Sequence, residues 1–431
     1  MPPHIRKYRV MKHIAKFLSC TLLLLATTAC GKVRPVTEVP EIHVGEPTFF
    51  PTIVAHTDAP IIGGNRIDIL LNGDEVFPAM LRDIKSARQT ITFAQYLYQD
   101  GKLAREFAEA LAERCRAGVK GHILLDSQGA RSLPDAITST MRGAGCKVEF
   151  FRRVEVPQVV FIWRLLRYNY RNHRRSLVID GRVGFTGGYG ISDAWTGDGH
   201  TPEHWRDTNV RVEGLLVNDL QAAFASSWFE ATGALLGGTG YFPSLEPRGK
   251  ITAQIVKSSP VGGSFQNYML FLLSIVSAKQ SIMITNPYFI PDDKIIEALL
   301  AAASRRVRVT VLVPGKIDVK LTYRASRRNY GKMLQGGIEI YEYQPALMHA
   351  KTMIVDGVWA TVGSTNMDNR SFALNEELNL AVYDRAFARK LEDIFRDDLR
   401  YSRKITYAEW AARPWRERFF ELFAFPFQEQ L

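Results

Sequence analysis

The sequence predicts an α/β fold made twice over, with two tandem α/β/α halves meeting at a pseudo-twofold axis and sharing one active site. Three observations predict it. His349 and Lys351 lie two residues apart in an apolar run that ends at Asp356, and the turn Gly363-Ser364-Thr365-Asn366 follows. His173, Arg175 and Asp180 repeat that spacing, and Gly187-Gly188-Tyr189-Gly190 follows them. The approaches match as well: Ser86-Ala87-Arg88-Gln89 leads into the apolar run Thr90 to Phe93, and Ser277-Ala278-Lys279-Gln280 leads into Ser281 to Thr285. One such motif would arise by chance in roughly a few per cent of chains this long, but two in matching surroundings point to duplication.

In chain order, each of these apolar runs reads as a strand and is followed by a tyrosine-containing turn. Next comes a helical stretch rich in Ala and Leu, Leu103 to Cys115 in the first half and Lys294 to Ala303 in the second. A further strand follows, Gly121 to Asp126 or Val307 to Pro314, and Val148 to Phe151 reads as another. Strand and helix patterns that alternate in this way argue for α/β units on a mixed or parallel sheet.

Successive side chains of a strand point to opposite faces, so His349 and Lys351 project together. An imidazole that attacks or hands over a proton, a fixed cation, and the hydroxyl and amide of the turn can handle a phosphate without a metal ion. No Cys-x-x-Cys or His-Glu-x-x-His spacing occurs, and the sequence calls for no metal or other cofactor.

At 431 residues and 46% hydrophobic, the chain can bury two domain-sized cores. Its formal charge of +11 includes five basic residues and no acidic one in the first 29, so the remainder carries +6. That excess suits an anionic lipid surface as well as nucleic acid. Arg6, Lys7, Arg9, Lys12 and Lys16 precede an apolar segment, Phe17 to Ala29, that is short for a membrane span. It ends in Ala26-Thr27-Thr28-Ala29-Cys30-Gly31, which resembles a bacterial lipoprotein cleavage box with Cys30 as the lipid anchor; ordinary cleavage and an uncleaved anchor are the alternatives. The expected organisation is an export signal over 1–29, a tether and entry segment over 30–60, the first domain over 61–245, the second over 246–405, and an aromatic tail over 406–431. Cys115 and Cys146 could pair in an oxidising compartment; two buried free thiols are the other reading.

The paired motifs resemble the phospholipase D superfamily, and bacterial cardiolipin synthases in particular. The second half carries the closer likeness, through Asn286-Pro287-Tyr288-Phe289-Ile290-Pro291, Val313-Pro314-Gly315-Lys316, Tyr341-Glu342-Tyr343-Gln344-Pro345 and Asn375-Glu376-Glu377-Leu378-Asn379. The resemblance implies two tandem phospholipase-D-like domains and a ping-pong mechanism. In it His173 attacks phosphorus, and His349 protonates the leaving oxygen and then deprotonates the incoming alcohol. Lys351 and Arg175 would hold the non-bridging oxygens, helped by Ser364 and Asn366. Glu377 would orient His349, with Asp207 as its first-half counterpart. Asp180 and Asp356 would be structural anchors. Two departures stand out: Arg175 replaces a lysine of the family, and Gly190 replaces the counterpart of Asn366. A forked guanidinium can cover two oxygens where an ammonium covers one.

The function so implied is a membrane-tethered phosphatidyltransferase. It would join two phosphatidylglycerols, or one and another phospholipid, and release glycerol or a like alcohol. Its partners would be anionic phospholipids and a membrane surface, with no obligatory protein partner, on an exported lipoprotein facing the periplasm or the cell exterior. A hydrolytic phospholipase D or a secreted nuclease could use the same two histidines, and a non-catalytic lipid-binding lipoprotein is a third reading. The aromatics lie in apolar runs instead of a basic groove, which favours lipid over nucleic acid. The insertion Val159 to Arg171 and the tail Trp410 to Phe427 read either as interfacial helices or as core-packed ones. Tyr288 and Phe289 would line the headgroup pocket or cap the sheet, Asp368 and Arg370 would stabilise a turn, and His200 and His204 would sit in a solvated loop.

Overall fold

Ile62–Leu71, a strand of alternating exposure, is where the two halves of the chain join. A computed structural model describes residues 36–153, 169–260 and 263–424. The first half contributes β1 (Ile62–Leu71), β2 (Thr90–Gln95), β3 (Lys120–Asp126), β4 (Lys147–Phe151), β5 (Ser176–Ile179), β6 (Val183–Gly187) and β7 (Thr208–Glu213). The second contributes β8 (Ile251–Ser258), β9 (Ser281–Thr285), β10 (Arg308–Pro314), β11 (Glu339–Tyr343), β12 (Thr352–Val355), β13 (Trp359–Gly363), β14 (Glu377–Val382) and β15 (Ser402–Ile405).

Among the described residues, these fifteen strands form one sheet. Outward from the antiparallel β1–β8 seam, the order is β1-β7-β6-β5-β2-β3-β4 in one direction and β8-β14-β13-β12-β9-β10-β11-β15 in the other. The second series repeats the first strand for strand and adds β15, which is the pseudo-twofold expected from the paired motifs. β2, β3 and β4 run parallel, as do β9, β10 and β11, while β5 and β12 are antiparallel to their neighbours, so the sheet is mixed. Helices Lys102–Arg116 and Asp293–Ser304 cross between the parallel strands. The first buries Leu103, Phe107 and Leu111 at a four-residue spacing, one stripe against the core. The second starts where the Asp292 carboxylate accepts from the Ile295 N–H at 2.8 Å. Each half has its own apolar core, and a third cluster spans the seam, joining Ile67, Val210 and Val212 to Ile354, Leu378 and Leu380. That shared cluster holds the two halves in one register and so fixes the cleft between them.

Asp180 and Asp356 occupy equivalent corners with positive φ, 51° and 54°. The Asp180 carboxylate accepts from the N–H groups of Arg88, Gln89 and Thr90, and that of Asp356 from Lys279, Gln280 and Ser281. Each ties the end of a motif strand to the start of β2 or β9.

Part of the segment expected as a tether is built into the body. Ile42, Phe49, Ile53 and Ala59 are buried in the second-half core, and Phe49–Thr57 is a helix packed on helix Gln266–Val276. Apolar side chains four residues apart at Phe49 and Ile53 make this stretch a helix face, which composition alone did not separate from linker. The tail also docks: the Trp410 indole donates to the Arg327 carbonyl at 2.8 Å, against Gly331. A Cβ at Gly331 would come within 2.2 Å of the ring. Trp415 stays 72% exposed. The expected signal, Cys30, the insertion up to residue 168, the side chains of Phe419 and Phe423, and residues 425–431 lie outside the described residues. Among the described residues, no helix is long and apolar enough to cross a membrane.

Cys115 and Cys146 form a disulfide across 31 residues of chain, from the end of helix Lys102–Arg116 to the start of β4. A bridge closing a loop of that length removes unfolded-state entropy worth about 3–4 kcal/mol. Reduction is expected to lower the urea midpoint accordingly, with Cys146→Ser unaffected by reductant. Equal midpoints with and without dithiothreitol in the wild type would contradict a structural role for the bridge.

Candidate active site

The two motif histidines sit just before strands β5 and β12, at the mouth of the cleft between the halves. Both are nearly buried, His173 at 7% and His349 at 4% exposure. Each is fixed by a short piece of backbone pairing across the cleft. The His173 N–H donates to the Glu376 carbonyl at 2.9 Å, and the Glu376 N–H donates back to the Arg171 carbonyl at 2.8 Å. On the other side, the His349 N–H donates to the Arg206 carbonyl at 2.7 Å and the Arg206 N–H to the Leu347 carbonyl at 2.9 Å. Each motif is therefore stitched to the segment that leads into the other half's strand beside the seam pair, β14 or β7.

This stitching crosses the carboxylates over. Glu377 lies 2.9 Å from Nδ1 of His173, and Asp207 lies 2.9 Å from Nδ1 of His349. The expectation that Glu377 serves His349 and Asp207 serves His173 is thus corrected. The carboxylate follows the backbone bridge, and the bridge joins opposite halves. With Nδ1–H donating to a carboxylate, Nε2 of each imidazole is left unprotonated, the tautomer a nucleophile or base requires.

Ser364 also has a different place from the one expected. Its hydroxyl donates to Glu377 Oε2 and accepts from the Leu378 N–H, so it orients the carboxylate instead of facing a phosphate. In the first half Gly188 takes that position, and a Cβ there would fall 2.2 Å from Asp207 Oδ1. The missing hydroxyl is replaced by Trp195, whose indole N–H donates to Asp207 Oδ2 at 2.9 Å. Trp195 also fills the space beside Gly190, where a Cβ would stand 3.1 Å from its ring. Asn366 is buried with its Oδ1 unpartnered. His204 contacts Thr201, and His200 contacts Tyr343, both away from Asp207.

Sequence reasoning missed three aromatic walls. Tyr96 packs edge-on against His173 at 4.8 Å, and Trp195 and Trp205 lie against His349 at 4.9 and 5.4 Å. Tyr288 faces His349 at 6.5 Å while its neighbour Phe289 is buried in the core, so only one of that pair reaches the site. The signal for Tyr96 was available: it follows β2 as Tyr288 follows β9.

Arg175 and Lys351 complete the floor. Arg175 Nη2 lies 3.0 Å from His173 Nε2, and its buried Nε has no partner among the described residues. Lys351 Nζ lies 3.0 Å from both ring nitrogens of His349 and donates to the His349 carbonyl at 2.7 Å. Among the described residues, neither cation makes an ion pair within 4 Å. Burial draws the pKa of both below their ordinary values. An anion between them would reverse that and take up the unspent donors.

The two dyads differ electrically. Burial and the Arg175 charge hold His173 well below its ordinary pKa, and burial with the Lys351 charge lowers His349 to about 3. Both imidazoles are therefore neutral. Burial pushes Glu377 up to about 7, against the hydrogen bonds from Ser364 and Ser371. Burial acts on Asp207 in the same sense, but its interaction with His349, with the Lys351 charge and the Trp195 hydrogen bond, brings it below its ordinary value. Asp207 is thus an ionised carboxylate ready to stabilise an imidazolium, whereas Glu377 titrates near neutrality.

Residues 272–399 match the family described as cardiolipin synthase, PLD-like domain. The chain is 35% identical over 364 residues to the major cardiolipin synthase ClsA of Bacillus subtilis, covering 84% of this chain and 74% of that protein. It is 36% identical over 351 residues to a cardiolipin synthase of Staphylococcus aureus, covering 81% and 70%. Among solved structures, the phosphatidylserine synthase of Haemophilus influenzae superimposes with a TM-score of 0.69 at 12% identity, over 89% of this chain and 100% of that one. The polyphosphate kinase of Porphyromonas gingivalis gives 0.54 at 12% identity, over 92% and 57%. At such identities the structural likeness speaks for the fold.

Proposed function

The chain belongs to the cardiolipin synthase family of phospholipase-D-like enzymes, and from that premise we infer that it is a phosphatidyltransferase making cardiolipin-type lipids. The observation that carries the reading in this chain is the pair of neutral imidazoles, each pinned at Nδ1 by a carboxylate and flanked at Nε2 by a buried cation. His173 attacks the phosphorus of phosphatidylglycerol as the bond to glycerol breaks and His349 gives that oxygen its proton. The anionic phosphate offsets the charges of Lys351 and Arg175 and so raises the basicity of His349, which lets it carry that proton. In the second half-reaction His349 takes the proton of a phospholipid's hydroxyl, the oxygen bonds to phosphorus, and the bond to His173 breaks. Arg175 and Lys351 hold the non-bridging oxygens, Ser364 positions Glu377, and Asn366 borders the phosphate site. The enzyme works on lipid in a bacterial membrane surface, with the exported, lipid-anchored arrangement following from the amino-terminal sequence.

Purified protein with detergent-dispersed phosphatidylglycerol, followed by lipid mass spectrometry, tests this. Cardiolipin and glycerol are the expected products; phosphatidic acid without cardiolipin would contradict transfer. A pH profile tests the dyad assignment. Glu377 ionises near pH 7, and only its ionised form supports the cation that forms on His173 during attack. Hence kcat/KM should rise with pH through about 7. Glu377→Gln should lower the rate and remove that limb; an unchanged limb in this variant would assign it elsewhere.

A further inference from the structure

The groove beside His349 carries a carboxylate at the edge of a site built for an anion. Pro287, Tyr288, Ile317, Asp318 and Leu347 line it at the ends of β9 and β10. Leu347 lies two residues before His349, and the Tyr288 ring faces that imidazole. The Tyr288 hydroxyl donates to Asp318 Oδ2, and Oδ1 accepts from the Val319 N–H at 2.8 Å. A carboxylate has about four acceptor positions, so two remain for a ligand. Through Tyr288, whose ring stands 6.5 Å from that of His349, Asp318 borders the catalytic cleft.

The first half carries a different groove at its own strand ends. At the ends of β3 and β4 the groove is lined by Arg131, Arg142 and Arg153 beside Phe150. The two grooves differ in charge: Asp318 stands near His349, whereas arginines, with Asp135, line the first-half groove. The chemistry of the two sides differs as well. With His173 attacking phosphorus, the leaving alcohol departs toward His349, and by microscopic reversibility the incoming alcohol arrives there. A carboxylate is a poor neighbour for phosphate oxygens and a good acceptor for hydroxyls. A glycerol headgroup offers, next to the hydroxyl that reacts, a second hydroxyl on the adjacent carbon.

We propose that Asp318, held by Tyr288, accepts a hydrogen bond from that neighbouring hydroxyl and so selects a vicinal-diol acceptor over a simple alcohol. This rests on the transferase reading above. Asp318 exchanges no proton; the reacting hydroxyl's proton goes to His349 as its oxygen bonds to phosphorus and the His173 bond breaks.

The test gives the enzyme phosphatidylglycerol in detergent with equal concentrations of isotope-labelled glycerol and 1-propanol, and counts labelled phosphatidylglycerol against phosphatidylpropanol. The wild type should favour glycerol by about tenfold or more, the discrimination a site gains by pairing a substrate hydroxyl. Asp318→Ala should bring the ratio close to one, and Tyr288→Phe should move it part of the way. The ratio is internal to each reaction, so partial misfolding does not move it. Equal loss toward both alcohols would overturn the proposal, since Asp318 would then not be reading the second hydroxyl. A wild-type preference for ethanolamine over glycerol that Asp318→Ala removes would also overturn it, because the carboxylate would be reading an ammonium. Transfer to no alcohol, with phosphatidic acid as sole product, would contradict the transferase reading and this inference with it.

Discussion

His173→Ala is expected to abolish cardiolipin formation, to about 10⁴-fold or more below the wild type, because it removes the atom to which the phosphatidyl group transfers. His349→Ala removes a proton carrier and should cost about 10²–10⁴. A donor with a p-nitrophenol leaving group separates the two roles, since its departure needs no proton. His349→Ala should then keep a stoichiometric burst of nitrophenolate while turnover stays slow. His173→Ala should give none. A burst in His173→Ala would move the nucleophile elsewhere.

The crossed dyads give the second large effect. Glu377→Gln and Asp207→Asn are each expected to lower kcat by about 10³–10⁴, the scale on which a histidine loses its orienting carboxylate. The pairing decides how these losses combine. His173→Ala with Glu377→Gln should be no worse than His173→Ala alone, because both remove one unit. Glu377→Gln with Asp207→Asn should come closer to additive, since Glu377 and Asp207 touch different imidazoles. If Glu377→Gln instead added fully to His173→Ala, while adding nothing to His349→Ala, the carboxylate would be working within its own half of the sequence.

Much of the fold was legible because it is written twice. Ser281–Thr285 forms a strand over the span its sequence suggested, and Lys102–Arg116 extends the expected helix by one residue at each end. The anchor positions Asp180 and Asp356 were readable for the same reason. Repetition could not say which half's carboxylate meets which histidine. Glu377 lies 28 residues after His349 and 204 after His173, so sequence distance favours the wrong partner. Only the short bridges at Glu376 and Arg206, set by the sheet's seam, reverse it. Nor does one sequence show that a tryptophan replaces a serine: Trp195 does for Asp207 what Ser364 does for Glu377, from a different place in the chain. The buried helix at Phe49–Thr57 was hidden by the Pro- and Thr-rich composition around it.

The most direct measurement is to find where the lipid is covalently held. Wild-type enzyme mixed with phosphatidylglycerol for one turnover, quenched in alkali to preserve a phosphorus–nitrogen bond and digested, should yield one modified peptide by tandem mass spectrometry. The phosphatidyl group should sit on His173. Its presence on His349 would reverse the roles of the two dyads, and cardiolipin formed with no adduct on either histidine would contradict the two-step mechanism.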